Sequence, residues 1–196
     1  MKTLFIHGAG STKNSFNFIN NCLSTEYDCL FYEYDMNNSN VSTNISKLKN
    51  YLDQLNHDVL VVGHSLGGIL ALGIIDHPHV KNIITISAPL GGMLIAGLYG
   101  WVTTHLMCKD LMPHSNILTS IKKNAKLSNK SHTAIVTTHG TPFFHEENDG
   151  VVLVNSQMAW DTPVYKKINL NHFEILMSDE LIDIIIEEIG DLGWNV

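Results

Sequence analysis

A chain of 196 residues with a 44% hydrophobic fraction has room for one core and little for a second, so residues 1–196 read as a single domain. A formal charge of −7, from 12 lysines and arginines against 19 acids, excludes a nucleic-acid surface, because phosphates need a cationic face. Cys22, Cys29 and Cys108 are odd in number and fit no metal-ligand spacing, which argues against a disulfide framework or a zinc centre. They read as buried or half-buried thiols in a cytoplasmic protein.

Met1-Lys2 runs straight into Thr3-Leu4-Phe5-Ile6, too short for a signal segment and suited to a first strand over Lys2–Ile6. The turn His7-Gly8-Ala9-Gly10 uses small residues, as a backbone that something must approach closely requires. A helix over Asn14–Leu23 puts Phe16, Ile19 and Leu23 on one face, and a second strand covers Asp28–Tyr34. After a polar loop, Ser42 or Thr43 is placed to cap a helix carrying Ile45, Leu48, Leu52 and Leu55.

Asp58-Val59-Leu60-Val61-Val62 is a β-branched run that ends at Gly63-His64-Ser65-Leu66-Gly67, and an apolar stretch of helical length follows at once. Strand, sharp turn, helix is the order. His77-Pro78-His79 ends that helix as a solvated terminus, with a metal site as the minor alternative. Asn82–Ser87 is the next strand. Met93–Cys108 has no charge, two inner glycines and fewer than the ~20 apolar residues of a membrane span. It is either a lid or a buried packing helix.

Ile117, Ile121 and Leu127 suit a helix that leads back to a strand over Thr133–Thr138. Glu146, Glu147 and Asp149 follow, with His139 and His145, which match no zinc or calcium spacing. Val164–Leu170 is the last strand, and His172 comes just after it. A final helix starts near Ser178, with acids in its first turn, Ile182, Ile185, Ile186 and Ile189 on its buried face, and Gly190 as its C-terminal cap. Strands alternating with helices give an α/β fold, a mostly parallel sheet of about six strands with helices on both faces. Ligands in such sheets sit at the carboxyl ends of the strands.

Gly63-His64-Ser65-Leu66-Gly67 between strand and helix resembles the nucleophile elbow of the α/β-hydrolases, in its lipase and esterase version. The resemblance spans most of the chain. It implies a reduced fold lacking the first two strands of larger members, with a lid-like insertion at about 91–112. Ser65, Asp149 and His172 appear in the family's order for nucleophile, acid and base. The Asp149-Gly150-Val151-Val152 context favours that acid over Glu146 and Glu147. By the same resemblance the backbone N–H groups of Ala9 and Leu66 form the oxyanion hole, and His7, Gly8, His64, Met93, Leu94, Leu98 and Trp101 line the substrate site.

The implied activity is hydrolysis of a small acyl ester or a lipid through an acyl-enzyme, with no cofactor or metal. The apolar lid is a place for transient contact with a membrane or micelle. Thioesterase, acyltransferase and an inactive binding protein on the same scaffold stay open, as does the oligomeric state. A Rossmann-type nucleotide site is excluded, since the glycines follow the third strand and lack the phosphate-binding pattern.

Overall fold

The computed structural model describes residues 2–36, 38–93, 106–142 and 145–193. Among these residues six strands form one sheet: β1 (Lys2–Ile6), β2 (Cys29–Tyr32), β3 (Val59–His64), β4 (Val80–Ile86), β5 (His132–Thr137) and β6 (Val164–Ile168). Every pairing is parallel and the order is β2-β1-β3-β4-β5-β6. The central strand β3 is buried at all six positions. That is why its sequence is a continuous apolar run rather than an alternation.

Alternate side chains of the strands feed two cores. Leu4, Ile6, Val59, Val61 and Ile83 pack with α2 (Val41–Leu55), α3 (Leu66–Gly73) and α5 (Asn116–Leu127). Phe5, Leu60, Val62, Ile84, Ile86 and Ile135 pack on the other face with α1 (Asn17–Leu23) and α7 (Asp179–Asp191). The short helices α4 (Leu106–Asp110) and α6 (Val154–Gln157) are the other α-helices among the described residues. Among the described residues no helix is long and apolar enough to cross a membrane.

Several local expectations need correction. Helix α2 starts at Val41 rather than at a Ser42 or Thr43 cap, because the Asn40 side chain accepts the Thr43 N–H at 2.8 Å and Asp110 accepts that of Val41 at 2.9 Å. The predicted first helix opens as a 3-10 turn over Lys13–Phe16. His77 is not solvated: α3 ends at Gly73, and the turn that follows carries His77 inward, 6% exposed, with Nε2 3.1 Å from Asp53. Gly190 lies inside α7, and the left-handed reversal falls at Gly193 (φ +77°). Ile186 is partly exposed, off the stripe that Leu181, Ile182, Ile185 and Ile189 bury. Cys22 is exposed, whereas Cys29 is half-buried.

Of the expected lid, Leu94, Leu98 and Trp101 lie outside the described residues. At its far end Met107 and Leu111 are buried in the core below α3, and Met93 donates its N–H to the Leu111 carbonyl at 2.7 Å. Met107, inside Met93–Cys108, is thus a core side chain, while residues 94–105, on which the lid reading rests, lie outside the described residues.

The contact that fixes α3 over the sheet is a backbone one. A Cβ at Gly67 would sit 2.1 Å from the Ile6 carbonyl oxygen and 2.5 Å from that of His7. Neither oxygen can yield without moving β1. Gly67→Ala is expected to destabilise the protein by more than about 3 kcal/mol, measured as the shift in a urea unfolding midpoint.

Candidate active site

Ser65 stands between the last residue of β3 and the first of α3, with φ 54° and ψ −120°. An L-residue rarely adopts this conformation, which costs roughly 1–3 kcal/mol and is held only when its surroundings dictate it. Here the Ser65 N–H bonds the Ile86 carbonyl at 2.8 Å, so the sheet grips the turn from β4. Leu66 opens α3, and its N–H is one of the helix's unpaired first-turn donors. Gly8 backs the same turn: a Cβ there would lie 2.9 Å from His64 Nδ1 and 3.1 Å from Ser65 Cβ. Ala9 follows, exposed.

The loop after β1 is braced from behind. The His7 ring stacks on Tyr34 with centroids 4.5 Å apart, and the Tyr34 hydroxyl donates to the His7 carbonyl at 3.0 Å. Burial lowers the His7 pKa, and Nδ1 donates to the Gly8 carbonyl at 2.8 Å.

His172 sits in the loop after β6, 3% exposed, and its Nδ1 is 2.8 Å from Asp149 Oδ2. A second link runs through the backbone, from the His172 N–H to the Asp149 carbonyl at 2.9 Å. Asp149 is wholly buried and fully bonded. Its Oδ1 accepts the N–H groups of Val151 and Val152 at 2.9 and 2.7 Å, while Oδ2 also takes Thr137 Oγ1 at 2.7 Å and Gln157 Nε2 at 3.2 Å. Burial opposes its charge, but the bonds from His172, Val152 and Thr137 outweigh that and hold the carboxyl below its ordinary pKa. Glu146 and Glu147 are exposed, as are His139 and His145.

His64 joins the two halves. Its Nε2 donates to the His172 carbonyl at 2.8 Å, and the two rings lie 4.7 Å apart. Burial, then the neighbouring His172, pushes its pKa down to about 3, so the ring is neutral. Its Nδ1 has no partner among the described residues. The Ser65 hydroxyl, on a residue 7% exposed, likewise has none among them.

The fold has counterparts among solved structures. The mature form of the lipase BlEst2 from Bacillus licheniformis superposes with a TM-score of 0.75, covering 96% of this chain and 91% of that one at 16% identity. The chain has the α/β-hydrolase fold. MGS-MChE2, an α/β-hydrolase enzyme from the metagenome of sediments of the Mar Chica lagoon in Morocco, matches at 0.69, 17% identity and 98% and 92% coverage. A lipase-esterase related protein from Clostridium acetobutylicum matches at 0.65, 18% identity and 97% and 93% coverage. A family model described as the PGAP1-like alpha/beta domain matches residues 2–97, the part of the α/β-hydrolase fold from β1 past β4. No curated protein matches in sequence.

Sequence reasoning missed much of what supports this candidate site. Thr137 and Gln157 were silent in the sequence, yet the Gln157 amide bonds both the N–H and the carbonyl of Thr137, at 2.9 and 3.0 Å, besides Asp149. Ser87, also at positive φ (51°), reaches Thr137 Oγ1 with its hydroxyl at 2.7 Å. The signal available was two hydroxyl residues at the buried ends of inner strands. As substrate-lining groups His7 and His64 need correction: both are 3% exposed or less, and their rings hold neighbouring loops. Met93 is half-buried against the core below α3.

Proposed function

We propose that the protein hydrolyses carboxylic acyl esters, with Ser65 as nucleophile, His172 as general base and acid, and Asp149 holding the imidazole. The observation that carries this reading is the buried Asp149–His172 pair, packed through His64 against the turn that strains Ser65. Asp149 accepts from Nδ1, which leaves Nε2 as the ring's basic atom. As Oγ bonds the ester carbonyl carbon, Nε2 takes the hydroxyl proton. The carbonyl electron pair moves onto oxygen, where the N–H groups of Leu66 and Ala9 stabilise it. Collapse breaks the bond to the alcohol oxygen, which leaves with the proton from Nε2. Water repeats the steps on the acyl-serine and releases the acid. The Ser65–His172 hydrogen bond closes with substrate bound, as such contacts commonly do.

The solved neighbours named lipases and esterases support an ester or lipid as substrate. Free thiols at Cys22 and Cys29 support a reducing, cytoplasmic setting. The test is labelling with a fluorophosphonate, followed by peptide mass mapping, beside turnover of nitrophenyl esters from acetate to palmitate. A single adduct on Ser65 and measurable turnover are expected. A protein that neither labels nor turns over any ester of the series is a binding protein on this scaffold.

A further inference from the structure

Phe173 is a large side chain that neither the cores nor the proposed chemistry uses. It follows the proposed base directly, yet is 60% exposed. Its ring meets that of His172 edge-on, with centroids 5.1 Å apart, and lies 6.4 Å from that of His64. An aromatic ring left in water beside a buried polar centre has unspent apolar surface for a ligand.

The loop that presents it is built to hold it there. Asn171 Oδ1 accepts the N–H groups of both Phe173 and Glu174 at 2.9 Å, and Glu174 Oε2 takes the Asn171 N–H at 3.1 Å. This reciprocal capping box fixes the backbone on either side of the ring. The next turn, Glu174–Met177, anchors into the core through Ile175 and Leu176. The ring is therefore exposed on a rigid support rather than on a loose one.

Its position selects the part of the substrate it meets. His172 Nδ1 is turned inward to Asp149, so Nε2 is the atom that serves both the nucleophile and the departing oxygen. A ring in edge-on contact with this imidazole is a direct neighbour of the base that returns its proton to the departing oxygen. We propose that Phe173 is a specificity-determining residue that packs against the alcohol portion of the ester and favours bulky apolar or aromatic alcohols. This rests on the hydrolase reading above.

Two matched series test it on the intact protein: acetates of methyl, butyl, hexyl and benzyl alcohols, and methyl esters of acids from acetate to octanoate. In the wild type kcat/KM rises along the alcohol series. In Phe173→Ala the benzyl-to-methyl ratio falls about tenfold, the scale of one lost apolar contact, while the octanoate-to-acetate ratio holds. Phe173→Leu falls between them, and Leu127→Ala, an exposed apolar residue on α5, leaves both ratios unchanged. An equal drop across both series makes Phe173 a mere support for His172 and overturns the proposal. So does a change confined to the acyl series. Both outcomes leave the ester-hydrolase reading standing, whereas a wild type with no Ser65-dependent turnover sinks both together.

Discussion

Replacing Ser65 with alanine is expected to lower kcat/KM for an acyl ester by on the order of 10⁵, with the folded state intact. The loss is that large because nucleophile and base act as a unit: without Oγ, the imidazole has no proton to take and no acyl-enzyme forms. The fold survives because the hydroxyl bonds no other described group, and the turn is held by the Ser65 N–H to Ile86. Ser65→Gly separates chemistry from strain. It removes the same oxygen but relaxes a backbone at φ 54°, and is expected to raise stability by about 1 kcal/mol. Steady-state kinetics and thermal melts on the three proteins give the comparison. Near wild-type turnover in Ser65→Ala would move the chemistry to another residue.

Asp149→Asn is expected to lower kcat by about 10⁴ and to destabilise the protein by about 2–4 kcal/mol. Oδ1 accepts two backbone N–H groups, so an asparagine keeps its carbonyl there and turns its amide toward Gln157 Nε2 and His172 Nδ1. Donor then faces donor at Gln157. At His172 the ring is driven to the tautomer that carries its proton on Nε2, which cannot accept one from serine. The pH dependence has a defined sign. A carboxyl whose folded pKa lies below its unfolded value contributes stability above the unfolded pKa, about 4, and loses it as pH falls through the folded one. Thermal melts of the wild type should therefore drop below about pH 4 by a component that Asp149→Asn lacks.

The elements most legible in the sequence were those where a single physical demand left little choice of residue. Val59–Val62 had to be apolar throughout because both faces of β3 are covered, and Gly67 had to lack a side chain because the Ile6 and His7 carbonyls leave no room for one. His172 was singled out by its place after the last strand, and the structure sets its ring against Asp149. What stayed hidden depends on tertiary partners. Nothing local tells that Asn40 rather than Ser42 or Thr43 caps α2, because Asp110, far along the chain, decides it by reaching the Val41 N–H. The strand expected from Thr133 begins one residue earlier at His132, which is buried, with its pKa pushed down to about 3 by that burial and Nε2 2.9 Å from Thr85 Oγ1. Gln157 gave no signal because it works by filling hydrogen bonds that only the assembled sheet leaves open.

The double tie between residues 149 and 172 has a mechanical corollary. Clamped through both main chain and side chain, the proposed acid and base form one doubly tied pair, and the His64 imidazole links the Ser65 turn to them through the His172 carbonyl. In the proposed mechanism, a shift of the turn relative to that pair then alters the distance of nucleophilic attack and leaves the ring's protonation pattern alone.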